Sequence, residues 1–459
     1  MNIQRRKFIK EAAGLSALGL AGTLGRWGIE AANAQAGPPY QALVCIFLFG
    51  GNDSNNMIIP DTNYASYATT RTVASGVQIA QANTIKFTAS KQGGASFGFH
   101  PNLAPIAPLY STGQLAIVAN AGTLINPLTK AQYQANSAPR PTNLFSHSDQ
   151  QNQWQGLLPN AAIRTGWAGR MADKLVAVNN GQGVPTIITV SGTQIFNNGM
   201  STSPLSVPSN GGVAILGQAA DAVSTARFTA LGQLLNTGST NKITQAGATV
   251  MQQSLASNAL VNPILSAALP PVIQNAFTQG GAQLNTGMAQ QLKQVARLID
   301  ARASLGVKRH VFFVSMGGYD THSQTVNNQN NLFNQLAPAM KAFYDYTVAA
   351  GVANIVTTFT MSDFNRTFIG NGNQGVDHAW GGHMMVMGGA VKGGDMYGTF
   401  PDLTVKGPDD SGSNGAWIPT TSVDQVGGTL ASWFGVVPTD VDYMFPNLKN
   451  FASRNIGFV

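Results

Sequence analysis

Charge is what this 459-residue chain has least of. Asp, Glu, Lys and Arg together make up 10% of it, against about 25% in an ordinary globular protein. Cysteine is nearly absent: Cys45 stands alone, so no intrachain disulfide framework exists. Its neighbours form an apolar run, which marks it as a buried, inert thiol. No block of like charges occurs, and the mild basic excess is spread along the chain. A nucleic-acid surface, which needs clustered Lys and Arg, is therefore not expected. After residue 36 no apolar stretch approaches the roughly 20 residues that cross a bilayer. A hydrophobic content of 44% is enough for a large core. Gly, Asn, Gln, Ser and Thr fill the space left by charge. Against that background, each Asp or His in a loop carries more information than usual.

The first 36 residues read as an address. Gln4-Arg5-Arg6-Lys7-Phe8 opens the chain, a short apolar run follows from Ala12 to Gly22, and Ala34 and Ala36 offer small-residue cleavage sites. That order describes an export signal, and the paired arginines before Phe8 point to the twin-arginine route. The apolar run is too short and Gly-rich for a membrane anchor. Removing residues 1–36 takes five of 26 basic and two of 19 acidic residues, which leaves a net charge of +4. Residues 37–459 read as one domain of periplasmic or secreted protein, with an inserted, partly helical region at about 194–304.

Residues 43–49, 310–316, 354–361 and 384–390 are short, largely apolar runs that read as strands. Helical patterns lie between several of them, as in the α/β class with a mostly parallel central sheet. Polar clusters fall where the runs end: Gly50-Gly51-Asn52-Asp53-Ser54, Gly317-Gly318-Tyr319-Asp320-Thr321-His322, and Ser362-Asp363-Phe364-Asn365-Arg366. A fourth, Asp377-His378-Ala379-Trp380-Gly381-Gly382-His383, leads into residues 384–390. Ligands of open parallel sheets bind at the carboxyl ends of strands. If the strands are neighbours, Asp53, Asp320, His322, Asp363, Asp377, His378 and His383 converge on one edge. Carboxylates with imidazoles suit a divalent metal. The bland alternative is that each Asp only caps its own turn, but five of the six histidines lie in or beside such loops. In Ser146-His147-Ser148-Asp149, Ser146 is either a helix N-cap or a nucleophile beside the metal. Arg366 is either a surface arginine or the holder of an anionic substrate oxygen.

Taken together, FLFGGNDSNNMIIP, FGFHPNLAPI, SHSDQQNQW, TGWAGRMA, GGYDTHSQ, SDFNRT and DHAWGGHMMVMGGAVKGGDMYG resemble the bacterial domain-of-unknown-function family 1501. That family is similar to the alkaline phosphatase and sulfatase superfamily. The resemblance implies an alkaline-phosphatase-like three-layer sandwich with helices on both faces of the sheet. It also implies a metal site at the strand ends. Its ligands would be Asp53, Asp320, His322, Asp363 and either His378 or His383, holding one or two ions. Zn²⁺ or Mn²⁺ are expected first, then Ca²⁺ or Mg²⁺. Asp377 would orient an imidazole, Ser146 would be the nucleophile with Ser54 behind it, and an anionic phosphate or sulfate ester would be the substrate. The chain departs from the superfamily at Phe364, where a ligand histidine is expected. No Cys/Ser-x-Pro-x-Arg string occurs, so a formylglycine sulfatase is not expected, and neither is a serine hydrolase. The alternative to a hydrolase is a non-catalytic exported protein that keeps the fold and binds a partner.

Overall fold

Nine strands form the central sheet of the computed structural model. They are β1 (Gln41–Leu48), β2 (Leu115–Gly122), β3 (Ile187–Thr189), β4 (Leu205–Ser206), β5 (Arg309–Met316), β6 (Val356–Ser362), β7 (Gly382–Gly388), β8 (Met396–Tyr397) and β9 (Thr421–Ser422). Their spatial order is β8-β2-β7-β6-β1-β5-β3-β4, with β9 also beside β2. The structure describes residues 39–158, 163–179, 183–213, 215 and 221–459. The expected export signal, residues 1–36, lies outside the described residues, as do residues 214 and 216–220 of the expected insertion. Gln41–Val459 forms one compact unit.

Strand β1 explains the first apolar run. It lies between β5 and β6, parallel to both, so neither edge nor face reaches water, and Ala42 to Phe47 are fully buried. A strand covered on both faces reads as continuous rather than alternating hydrophobicity. Leu43, Cys45 and Phe47 share one cluster with Val311, Phe313, Phe359 and Met361. The same cluster holds Trp167 and Met171 of helix α2 (Trp167–Leu175) and Val426 and Leu430 of helix α5 (Val423–Trp433). Val44, Ile46, Phe312 and Val314 are equally buried and project to the other face, because side chains alternate along a strand. There helix α3 (Gly287–Asp300) lies against β5, and Gln291 bonds both the N–H and the C=O of Ser315 at 2.9 and 2.8 Å. Helix α4 (Thr325–Ala349) packs on α3, where the Tyr346 hydroxyl donates to Ala296 O at 2.9 Å. The architecture is thus a three-layer α/β sandwich with a mostly parallel sheet.

One strand departs from the parallel expectation. β7 is antiparallel to both β6 and β2. No helix fills the connection from β6. Instead the chain makes a side hairpin, Arg366–Gly370 against Val376–His378, and re-enters the sheet from the edge it left. An antiparallel neighbour follows, since only a long crossover returns a chain parallel. Three more strands, Ile58–Pro60, Ile85–Ala89 and Ala95–Phe99, form a small antiparallel sheet. Between 194 and 304 the chain adds β4 to the sheet edge, then helices Ala222–Leu235, Lys242–Ser266 and Pro271–Ala276 before α3.

Candidate metal centre

Register brings the polar loops together. Leu48 pairs with Met316 on one side and Ser362 on the other, so the chain leaves β1, β5 and β6 at one level of the same edge. Gly50 lets these loops touch. Its φ is +114°, and a Cβ there would stand 2.4 Å from the Asp320 backbone nitrogen. Two more pieces complete the edge: the side hairpin, in which Arg366 pairs with His378, and helix α1 (His147–Gly156).

Three imidazoles meet here, and each is fixed through its Nδ1. His147 Nδ1 lies 2.7 Å from Asp363 Oδ2. One turn on, Gln151 Nε2 donates to the same oxygen at 2.8 Å, as i, i+4 helix neighbours can. His322 Nδ1 lies 2.9 Å from Asp377 Oδ1, and His378 Nδ1 lies 2.6 Å from Phe145 O. A carboxylate or a carbonyl can only accept, so each Nδ1 carries the proton and each neutral ring keeps its lone pair at Nε2. All three Nε2 atoms turn toward Asp320 Oδ1, at 3.4 Å for His147, 3.1 Å for His322 and 3.7 Å for His378. The Nε2 atoms of His322 and His378 are 2.9 Å apart. Two neutral rings in these tautomers would face lone pair to lone pair, so a proton or a metal cation must sit between them. Nε2 of His147 is buried without a hydrogen-bond partner.

The surroundings hold this group in place. Arg366, whose side chain has no exposed surface, donates to Asp320 Oδ1 at 2.6 Å, to Gly51 O at 2.9 Å and to Val376 O at 3.3 Å. It also reaches Gly50 O. Burial pushes the Asp320 carboxyl up, but the bond and charge of Arg366 outweigh it and leave it below the usual range. Asp377 is likewise lowered: burial opposes, while Asn371 and His322 prevail. The bond to Asp363 raises the His147 pKa, whereas burial lowers that of His378. Phe364 closes one side, with its ring 4.7 Å from His147 and 4.8 Å from His378. Phe145 adopts φ +71°, a left-handed conformation that costs a non-glycine residue about 1–2 kcal/mol. That conformation accompanies the bond from its carbonyl to His378.

Of the residues expected as ligands, Asp320, His322 and His378 converge as donors. Asp363 sits behind His147, with its Oδ1 accepting from Gly50 N at 3.1 Å. Asp53 and His383 stand apart. Both Asp53 oxygens are bound by Arg71, at 2.6 and 3.0 Å, so the carboxylate already has a cation. His383 is buried, its Nδ1 accepts from Asn120 N at 3.1 Å, and burial drives its pKa down to about 3. Ser146 donates its hydroxyl to Asp149 Oδ2 at 2.6 Å and is therefore turned along its own helix. Ser54 Oγ accepts from His383 N at 2.9 Å. Arg366, expected as the holder of an anionic oxygen or as a surface arginine, is buried and directs its donors to carbonyls, to Asp320 and, at 3.5 Å, toward His322 Nε2. His147 was missed as a donor, although the same SHSD stretch had marked Ser146. Gly94-Ala95-Ser96-Phe97-Gly98 fits the G-x-S-x-G string of serine hydrolases. It lies within strand Ala95–Phe99 rather than at a strand-to-helix elbow, and Ser96 Oγ donates to Asp61 Oδ2 at 2.9 Å.

Residues 40–413 match a family described as "Protein of unknown function (DUF1501)". No curated protein matches the chain. Among solved structures it is similar to the crystal structure of Ps i-CgsB, at 10% identity over 90% of this chain and 77% of that one, with a TM-score of 0.34. It is also similar to PsFucS1 sulfatase from Pseudoalteromonas sp., at 10% identity over 82% and 67%, with a TM-score of 0.30. Likenesses this loose carry nothing about the site.

Proposed function

We propose that this chain, which belongs to the DUF1501 family, is an exported metal-dependent hydrolase of phosphate or sulfate esters. Its centre would hold one ion on the Nε2 atoms of His147, His322 and His378 and on Asp320. The observation that carries this reading is the tautomer lock: three lone pairs converge on one carboxylate oxygen with their outer nitrogens already bonded. Acceptors behind ligand imidazoles are the usual support of a metal centre. His147, Asp320 and His378 can place donor atoms within 4.8 Å of one another. Three nitrogens and one oxygen fit Zn²⁺ best, and fit oxygen-seeking Ca²⁺ or Mg²⁺ worst. A divalent cation there supplies positive charge that polarises a phosphoryl or sulfuryl oxygen. Arg366 keeps Asp320 ionised and aimed, Asp363 and Asp377 keep two rings in the donor tautomer, and Phe364 keeps water from one side. The Asp320 side chain is 51% exposed, which leaves an approach for substrate. The paired arginines and the A-x-A site near the start support export. The superfamily's second ion has no support here, because Arg71 occupies Asp53.

One observation favours the second reading, a non-catalytic exported protein. Ser146 faces Asp149 and the donors of Arg366 are engaged, so neither of these two supplies an activated hydroxyl or a free cation to the centre. The deciding experiment is metal content by mass spectrometry on protein purified without chelators, followed by assays on 4-nitrophenyl phosphate and 4-nitrophenyl sulfate. One equivalent, lost in His147→Ala and Asp320→Ala but kept in Asp53→Asn, supports the centre, and ester cleavage that tracks it supports the hydrolase. Metal-free wild type that neither takes up Zn²⁺ nor gains stability with it refutes both steps. Bound metal with no ester cleavage leaves the non-catalytic reading.

A further inference from the structure

Helix Lys242–Ser266 carries one stripe through two different surroundings. Ile243, Gly247, Val250 and Ser254 follow each other at steps of four, three and four, and Ser257, Val261 and Leu265 continue the rhythm. Positions three and four apart share one face of a helix. The second half of that face is buried against the body of the protein: Ser257, Val261 and Leu265 are all covered. Ser257 Oγ donates to Gly183 O, and Arg297 of α3 donates to Ala267 O, just past the helix, at 2.9 Å. The first half is exposed along its length, with Ile243 at 84% and Val250 at 56%. One packing face thus runs on beyond the surface it packs against, and among the described residues nothing covers its first half.

Three features say what would cover it. Gly247 sits in the interior of an exposed helix, where glycine weakens the helix relative to alanine. A Cβ there would meet nothing within 4 Å, so the chain's own packing makes no use of the missing side chain. A backbone arriving from outside does. Ser254 turns its hydroxyl onto its own helix and donates to Val250 O at 2.8 Å, so covering it strands no hydrogen bond. Lys242 is the only charged residue of the helix, so a partner meets no charge along the stripe. A helix that lies in a membrane surface needs a polar face rich in Lys and Arg, and the remaining polar residues here are Gln, Thr, Ser and Asn.

We infer that the exposed half of this stripe is the two-fold interface of a homodimer, in which the helix packs antiparallel on the same helix of a second copy. The stripe reads large, small, large, small. Antiparallel pairing about a two-fold axis sets Ile243 against Ser254 of the partner subunit and Gly247 against Val250 of the partner subunit, so each large residue meets a small one, as interdigitating faces require. Parallel pairing in register would set like on like. The exposed half is about 18 Å long. Helix Ala222–Leu235 adjoins it, held by Gln252 Nε2 donating to Leu235 O at 3.1 Å, and carries exposed Val223 and Leu234. With that flank, two copies bury on the order of 1,000 Å² in all, the lower end for a specific complex. Pairing is therefore concentration-dependent, with a Kd of roughly micromolar order.

The test is sedimentation velocity on residues 37–459, which contain the whole compact unit, from about 1 to 100 µM. The expected result is a monomer that passes to twice its mass within that range. Gly247→Gln should keep the chain monomeric at the highest concentration while its melting temperature holds or rises, because the change improves the helix and spoils only the close approach. Ile243→Lys should also give a monomer. Adding Ser254→Asp to it should bring the dimer back. Within one helix those positions are about 16 Å apart and cannot pair, whereas antiparallel copies bring them together. Wild type that stays monomeric at the highest concentration overturns the inference, and if that monomer sediments with phosphatidylglycerol vesicles the face belongs to a membrane instead. A dimer that survives both Gly247→Gln and Ile243→Lys uses another surface and overturns it too.

Discussion

Arg71→Met is the sharpest perturbation of this fold, because it separates a structural carboxylate from a ligand. The Arg71 guanidinium has no exposed surface. It bonds Asp53 Oδ1 at 3.0 Å and Oδ2 at 2.6 Å, Asn56 Oδ1 at 2.6 Å, Thr367 O at 2.9 Å and Phe368 O at 3.0 Å. Methionine keeps much of the volume and none of the charge. Asp53, with its side chain 1% exposed, would then be a buried anion with no counter-ion, a loss of about 3–5 kcal/mol. In urea the unfolding midpoint should fall by roughly 1 M or more. The double variant Asp53→Leu/Arg71→Met should recover most of that loss, since an apolar pair of similar size often replaces a buried ion pair at little cost. Bound metal, measured by mass spectrometry below the transition, should stay at the wild-type level in both variants. Arg71→Met with wild-type stability, or metal lost from the double variant while it remains folded, would refute the assignment of Asp53 to the scaffold.

Asp377→Asn should leave the fold intact and weaken metal affinity about 10- to 100-fold, as expected for the group behind a ligand imidazole; competition with a coloured chelator reads this directly. In chelated protein the raised His147 pKa should stabilise the fold in full below the unfolded value of about 6.5 and cease to do so as pH rises through the folded value. The stability gap between wild type and His147→Gln should therefore shrink from pH 5 to 9, and a gap independent of pH would count against the Asp363 pairing. Asp424, fully buried, has its pKa pushed up to about 7. Its penalty grows from about pH 4 and is complete above 7, so Asp424→Asn should stabilise the protein at pH 8 and do little at pH 4. Gly375→Ala should loosen the side hairpin and cost both stability and metal, since a Cβ there would stand 2.0 Å from His322 O.

The strands were legible because burial on both faces writes itself into composition. The runs at 43–49, 310–316, 354–361 and 384–390 fall within two residues of β1, β5, β6 and β7. The direction of β7 was not legible, because it depends on the side hairpin, whose Gly- and Asn-rich stretch reads as a plain loop. In the candidate centre, Asp320, His322 and His378 stood out as titratable groups after strands. Asp53 looked the same in sequence, and what removes it from the centre is Arg71, 18 residues away and reachable only through the fold. His378 and His383 could not be separated by type. Their difference is one of place: His378 ends a half-exposed hairpin strand, while His383 enters the sheet interior. His147 was hidden by Ser146, because a hydroxyl at a helix start draws the eye to nucleophiles.

The position of β1 has a consequence for how the chain is made. It is the first strand of the sheet to be synthesised and sits among the last to arrive: its partners begin at Arg309 and Val356. Residues 49–308, 260 in all, separate its end at Leu48 from the first of them. At a synthesis rate of about 5–20 residues per second, that is a wait of roughly 15–50 s. Throughout it, a run of apolar residues has both edges unpaired, a state that invites pairing with another chain. The loops that carry Asp320, His322 and Asp363 cannot meet until the wait ends, because they follow β5 and β6, the two strands that pair with β1. Late closure of so long a loop makes folding slow, and the centre can assemble only in chains synthesised past His378. Metal uptake by the proposed centre would then report that synthesis has passed His378.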